Sequence, residues 1–229
     1  DKFSINNKIF IYDSANSYRL NIVQSLKANI CLTKAYNAFK EAEKASKEEG
    51  YYFIHPFDGF YTLQGTATLG FEICKQMESI DNIIISVGGG GLIGGIGSFV
   101  KQKFPKCKII GVEPMGAKGL TDSLSENQPI KKVPINTIAD SLSSPLHMPY
   151  SFSICQKVID QMITVTDKQM IEAMMFMYDN FKLMLEPACV AGMAALQNYL
   201  KGQLKNQNTL IVLCGSNIDV KTWNNLVFN

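Results

Sequence analysis

The stretch that most restricts the fold of this 229-residue chain is Ser86-Val87-Gly88-Gly89-Gly90-Gly91-Leu92-Ile93. An apolar strand pattern ends in four glycines, and a helical pattern begins at once. With no Cβ in the way, backbone N–H groups can close around an anion, and the helix N-terminus adds its partial positive charge. The result is a phosphate cup that needs no Lys or Arg. The competing reading is a plain turn whose glycines admit close helix–strand packing. Gly89-x-Gly91-x-x-Gly94 also satisfies the dinucleotide fingerprint, and Glu113 ends the next strand about 20 residues on, where a ribose-binding acid would sit. The loop alone does not separate a nicotinamide cofactor from another phosphate-bearing one.

Short apolar runs alternate with amphipathic stretches on both sides of this loop. Strands are predicted at 9–12, 30–32, 51–54, 82–87, 108–112 and 209–214. Helices are predicted at 18–27, 36–49, 63–77, 92–103 and 188–200, the second closed by Gly50. A Met-rich helix follows the capping-box signal Thr166-x-x-Gln169 and runs to about Lys182, with Met170, Met174, Met175, Met177 and Met184 read as core filling. Residues 113–149 are the least regular part. Such alternation implies an α/β protein with open, mostly parallel sheets flanked by helices.

Composition narrows the function classes. Lys+Arg 22 against Asp+Glu 20 leaves a formal charge of +2, too balanced for a nucleic-acid binder. No apolar run approaches the length of a bilayer span. The six cysteines (31, 74, 107, 155, 189, 214) form no Cys-x-x-Cys pair and mostly lie in apolar runs, which points to free thiols in a reducing, cytoplasmic setting without structural zinc.

Seven blocks then stand in register along the chain. They are His55-Pro56-Phe57-Asp58, Gly65-x-x-Thr68-Leu69-Gly70-Phe71-Glu72-Ile73, the tetraglycine loop, Ile110-Gly111-Val112-Glu113-Pro114, Asn136-Thr137-Ile138-Ala139-Asp140, Leu185-Glu186-Pro187-Ala188, and Leu213-Cys214-Gly215-Ser216-Asn217-Ile218-Asp219. In this order they resemble the pyridoxal-phosphate-dependent threonine/serine dehydratases of fold type II, the tryptophan synthase β-like enzymes, with serine racemase a close relative. The resemblance implies a small mobile α/β lobe surviving in residues 1–54 and a large cofactor-binding lobe in 55–229. It implies a homodimer acting on a small amino-acid substrate, with L-threonine or L-serine converted to the 2-oxo acid and ammonia by β-elimination. Gly88, Gly89, Gly90, Gly91 and Leu92 match the loop that holds the pyridoxal 5'-phosphate phosphate. Cys214 matches the residue facing the pyridine nitrogen, Glu186 the acid near the cofactor, and Asn217 either a site residue or a turn. A thiol is a weak neutral partner that leaves the ring nitrogen largely unprotonated, which suits expulsion of a β-leaving group.

Three departures accompany the resemblance. The relatives' cation site uses the Glu of Glu-Pro, a carbonyl four residues on and an acid six residues on. Here these are Glu113, Ala117 and Gly119, so the acid is missing and no metal is expected. Ser141 and Cys189 replace small glycines of the family. Most consequentially, the Schiff-base Lys motif and the substrate-carboxylate loop do not occur, and Lys2 and Lys8 stand in no such context. The expectation is therefore an N-terminally incomplete chain with no catalytic residue of its own, inactive alone. A racemase and a non-catalytic partner chain that keeps the phosphate cup are the alternatives.

Overall fold

The computed structural model describes residues 5–13, 17–34 and 37–228. The chain divides into two compact units, residues 1–54 and 55–229. In the first, strands β1 (Ile9–Tyr12) and β2 (Ile30–Thr33) pair in parallel from Ile9↔Ile30 to Tyr12↔Thr33, with helices α1 (Ser17–Ser25) and α2 (Ala38–Glu49) following each strand. Its described core is thin: Thr33, Ala38 and Ala45 are the buried side chains. Gly50 closes α2 at φ 75°, a left-handed cap that a Cβ would strain.

The second unit runs α3 (Phe60–Gln76), β3 (Asn82–Ser86), α4 (Gly91–Lys103), β4 (Lys108–Pro114), α5 (Gly119–Ser125), α6 (Pro149–Val158), β5 (Gln161–Val165), α7 (Asp167–Phe181), α8 (Pro187–Ala195), β6 (Thr209–Ile211) and α9 (Val220–Phe228). Its sheet has the order β5-β4-β3-β6, every pairing parallel. Parallel strands covered on both faces are apolar throughout, and β3 is buried at all five positions. Because side chains alternate across a strand, Ile83 and Ile85 pack with Ile93, Ile96 and Val100 of α4, while Ile84 packs on the other face with Met170, Met174 and the small residues of α8. The chain leaves β3 toward β4 on one side, and β6 enters on the other. The carboxyl ends of β3 and β6 thus form a switch point, where a crevice opens in such sheets.

Several expectations change. Residues 51–54 alternate in exposure as extended chain does, but do not form a β-strand. The helix expected over 36–49 is described from Ala38, and Tyr36 lies outside the described residues. The helix expected to reach 200 is α-helical to Ala195 and widens to a π-turn over Leu196–Leu200. β5 and α6 were not expected. Met170, Met174 and Met177 are buried at i, i+4 and i+7, whereas Met175 lies one residue off that face and is 38% exposed. Thr166 forms the capping box with Gln169.

Helices α3 and α4 approach at backbone distance. A Cβ on Gly95 would lie 2.0 Å from Thr66 Oγ1 and 2.6 Å from the Leu63 carbonyl. A Cβ on Gly70 would lie 2.9 Å from the Ile96 carbonyl. This approach lets Thr66 Oγ1 donate to the Gly91 carbonyl at 2.8 Å, fastening the first residue of α4 to α3. Gly95→Ala is therefore expected to destabilise the protein by about 2–3 kcal/mol in urea unfolding, as overpacking does. An unchanged midpoint would contradict the contact.

Candidate cofactor site

The turn from β3 into α4 is held from three sides. Val87 N–H donates to the Val112 carbonyl at 2.8 Å, so pairing with β4 continues to the first glycine. Gly90 stands at φ 92°, in the left-handed region, and its carbonyl accepts the buried Cys155 thiol at 3.3 Å. Burial pushes that thiol up to about 12, so it stays a neutral donor. The third side is the His-Pro-Phe-Asp block. His55 Nδ1 accepts the N–H groups of Phe57 (3.3 Å) and Asp58 (3.0 Å), and Asp58 Oδ1 accepts Ser151 N–H at 2.6 Å in the first turn of α6. This tight turn lays the Phe57 ring on the glycines: a Cβ on Gly89 would lie 2.1 Å from it, and one on Gly91 would lie 2.7 Å from the Phe57 carbonyl.

The first-turn N–H groups of a helix have no partner within it, and no side chain caps α4. They open onto a cavity of about 280 Å³ lined by Phe57, Ser86, Gly88–Leu92, Ser141, Leu142, Glu186 and Cys214, among others. The cradle fits a phosphate: its donors are backbone amides, its walls admit no Cβ, and the helix dipole favours an anion.

The opposite wall follows from two further blocks. Thr137 Oγ1 and Ile138 N–H donate to the two oxygens of Asp167 at 2.5 and 3.1 Å, tying the chain before Ser141 to the start of α7. Leu142 then packs against Gly88, where a Cβ would lie 3.1 Å from its Cα. Glu186 precedes α8, and its Oε2 accepts Ser141 Oγ at 3.4 Å. Gly215 leaves room for this carboxylate, since a Cβ there would sit 2.7 Å from Oε1. The adjacent Cys189 thiol pushes the Cys214 thiol above its ordinary value, so it remains neutral. Asn217 is exposed and lies outside the cavity lining. Phe57, Ser86, Ser141 and Leu142 were not singled out as cofactor contacts; the placement of Phe57 and Ser141 inside or beside family blocks, and of Ser86 at the head of the glycine stretch, was their signal.

Glu113 serves a different purpose. It is fully buried, Oε1 accepting Leu120 N–H at 2.8 Å and Oε2 accepting Thr121 N–H at 2.8 Å and Thr121 Oγ1 at 2.6 Å. The carboxylate thus holds the start of α5 and is not presented to a ribose, which removes the second element of the dinucleotide reading. The same engagement of both Glu113 oxygens bears on the cation reading. A side chain at Gly119 would meet the His147 imidazole, 2.6 Å from Nε2, and among the described residues no three His, Cys, Asp or Glu side chains gather. The cavity lining contains no Lys, and Lys8, in the first unit, pairs with Glu49 at 2.7 Å.

Two outcomes follow. Gly89→Ala is expected to weaken binding of pyridoxal phosphate at least tenfold in a fluorescence titration, with Phe57→Ala restoring part of the loss by removing the clash. Thermal stability is expected to be the same in EDTA and in millimolar Mg²⁺; a cation-dependent rise of several degrees would return Glu113 to metal binding.

The profile of the family described as pyridoxal-phosphate dependent enzyme matches residues 2–215. The chain is 36% identical over 217 residues to phenylserine dehydratase of Ralstonia pickettii, covering 94% of this chain and 67% of that protein. Among solved structures it is similar to the processed form of threonine deaminase isoform 2 from Solanum lycopersicum (TM-score 0.87, 32% identity, 96% of this chain and 65% of that one). It is also similar to maize serine racemase (TM-score 0.88, 27% identity, 98% and 70%). The chain spans between 36% and 67% of the first two curated relatives it matches. The seven blocks, the parallel sheet and the amide cradle therefore have one common explanation: this chain belongs to the family of pyridoxal-phosphate-dependent enzymes.

Proposed function

We propose that the intact protein is a pyridoxal-phosphate-dependent dehydratase, an ammonia-lyase that converts L-threonine or L-serine to the 2-oxo acid and ammonia. The observation that carries this reading is a single cavity with an uncharged amide cradle at one side and the neutral Cys214 thiol in its wall. Relatives bearing the names phenylserine dehydratase and L-threonine ammonia-lyase, at 36% and 31% identity, support it.

Bound pyridoxal phosphate supplies an electron sink for the α-carbon of the amino acid. The residues of this chain set its position and its electronics. Gly88–Leu92 would hold the phosphate through N–H groups, while Thr66 and Cys155 hold the carbonyls of Gly91 and Gly90 and Phe57 packs against the glycines. Cys214 would offer the ring nitrogen a thiol that neither carries charge nor yields its proton readily, a partner that would not promote protonation of the ring and so would suit elimination. Glu186, oriented by Ser141, keeps a carboxylate at the same wall. No residue lining the cavity supplies an amine, so this reading requires a Lys from outside it. A reducing, cytoplasmic setting accords with six free cysteines, and a homodimer is the assembly we assign to it. Among the described residues no helix is long and apolar enough to cross a membrane.

The intact protein is expected to gain absorbance at the edge of the visible with pyridoxal phosphate and to release a 2-oxo acid and ammonia from L-threonine, L-serine or 3-phenylserine. Absence of both the absorbance and any oxo acid would refute the reading.

A further inference from the structure

Ser86 is the last residue of β3, after three isoleucines that are fully buried. It is itself only 3% exposed, and its hydroxyl has no hydrogen-bond partner. Buried hydroxyls are nearly always paired, because an unpaired one forfeits its bonds to water without replacement. The other polar side chains of the cavity wall are accounted for: Ser141 donates to Glu186, and Cys214 lies beside Cys189. Of the buried unpaired polar atoms among the described residues, only the Ser86 hydroxyl belongs to a residue lining the cavity.

Its position explains why the protein itself leaves it unpaired. Ser86 pairs with Val112 of β4 through the backbone, while pairing between β3 and β6 ends in the bond from Val212 N–H to the Ile84 carbonyl. The sheet therefore opens on the β6 side at Ser86, two residues before the phosphate cup and at the strand ends that also carry Cys214. Ser86 lines the cavity at this opening, and the protein supplies no acceptor to its buried hydroxyl.

We propose that Ser86 is a further cofactor-positioning residue, its hydroxyl donating a hydrogen bond to an acceptor on bound pyridoxal phosphate. The inference rests on the cofactor assignment above. It makes the hydroxyl satisfied only when the site is filled, so that cofactor-free protein carries an unpaired polar group and loaded protein does not.

The test compares the intact protein with Ser86→Ala, a smaller side chain that introduces no clash. Affinity for pyridoxal phosphate and for inorganic phosphate is measured by fluorescence titration, and the thermal midpoint is measured without ligand. The variant is expected to bind pyridoxal phosphate about tenfold more weakly while its ligand-free midpoint is unchanged or higher. A parallel loss for inorganic phosphate places the bond at the phosphate end, and a loss confined to pyridoxal phosphate places it nearer the ring; either supports the proposal. Equal affinity of the two proteins for pyridoxal phosphate overturns it. Failure of the unaltered protein to bind the cofactor would instead overturn the assignment of function.

Discussion

The close approach of backbone to backbone around Gly88–Gly91 is the constraint on which the rest of the site depends. Phe57 lies where a Cβ of Gly89 would be, Leu142 packs on Gly88, and Cys155 and Thr66 hold the next two carbonyls. Each neighbour comes from a separate part of the chain, so the loop acts as the point at which α3, α6 and the segment between α5 and α6 are drawn together. The same absence of side chains that permits this packing leaves the first-turn amides of α4 open to an anion. Packing and ligand binding are here two consequences of one geometric fact.

The site is chemically quiet. It offers an anion dipoles rather than charged side chains, and its Cys155 thiol is held neutral by burial and its Cys214 thiol by the neighbouring Cys189. In the function proposed above, neutral partners would tune the electron sink downward, which suits elimination more than reactions needing a fully protonated ring. The one buried carboxylate close by in sequence, Glu113, is fully engaged by the start of α5. An acid that reads as a ligand in one dimension is an internal fastener in three.

Legibility differed between local and non-local features. The turn after β3, the Gly50 cap and the Thr166 capping box are written in neighbouring residues, and each appears in the structure. Residues 51–54 read as a strand because Tyr-Tyr-Phe-Ile is a short apolar run of β-favouring residues, but a strand is made by pairing, which no local pattern specifies. Met175 looked like core because its neighbours are core; a single-residue step around a helix moves it to the surface. β5, an edge strand of mixed polarity, carries too little apolar signal to stand out beside the all-isoleucine centre of β3.

By itself the sequence determined the α/β alternation, the glycine turn into α4 and the family, because these rest on glycine's missing Cβ, on periodicity and on motifs contiguous along the chain. Only the tertiary structure decided that Phe57 floors the cup, that Glu113 faces inward to α5 and that Ser86 is buried without a partner. Those outcomes depend on which groups from distant segments arrive within hydrogen-bonding or van der Waals distance. Satisfaction of a polar atom is a property of its surroundings in space, and residue order alone does not specify it.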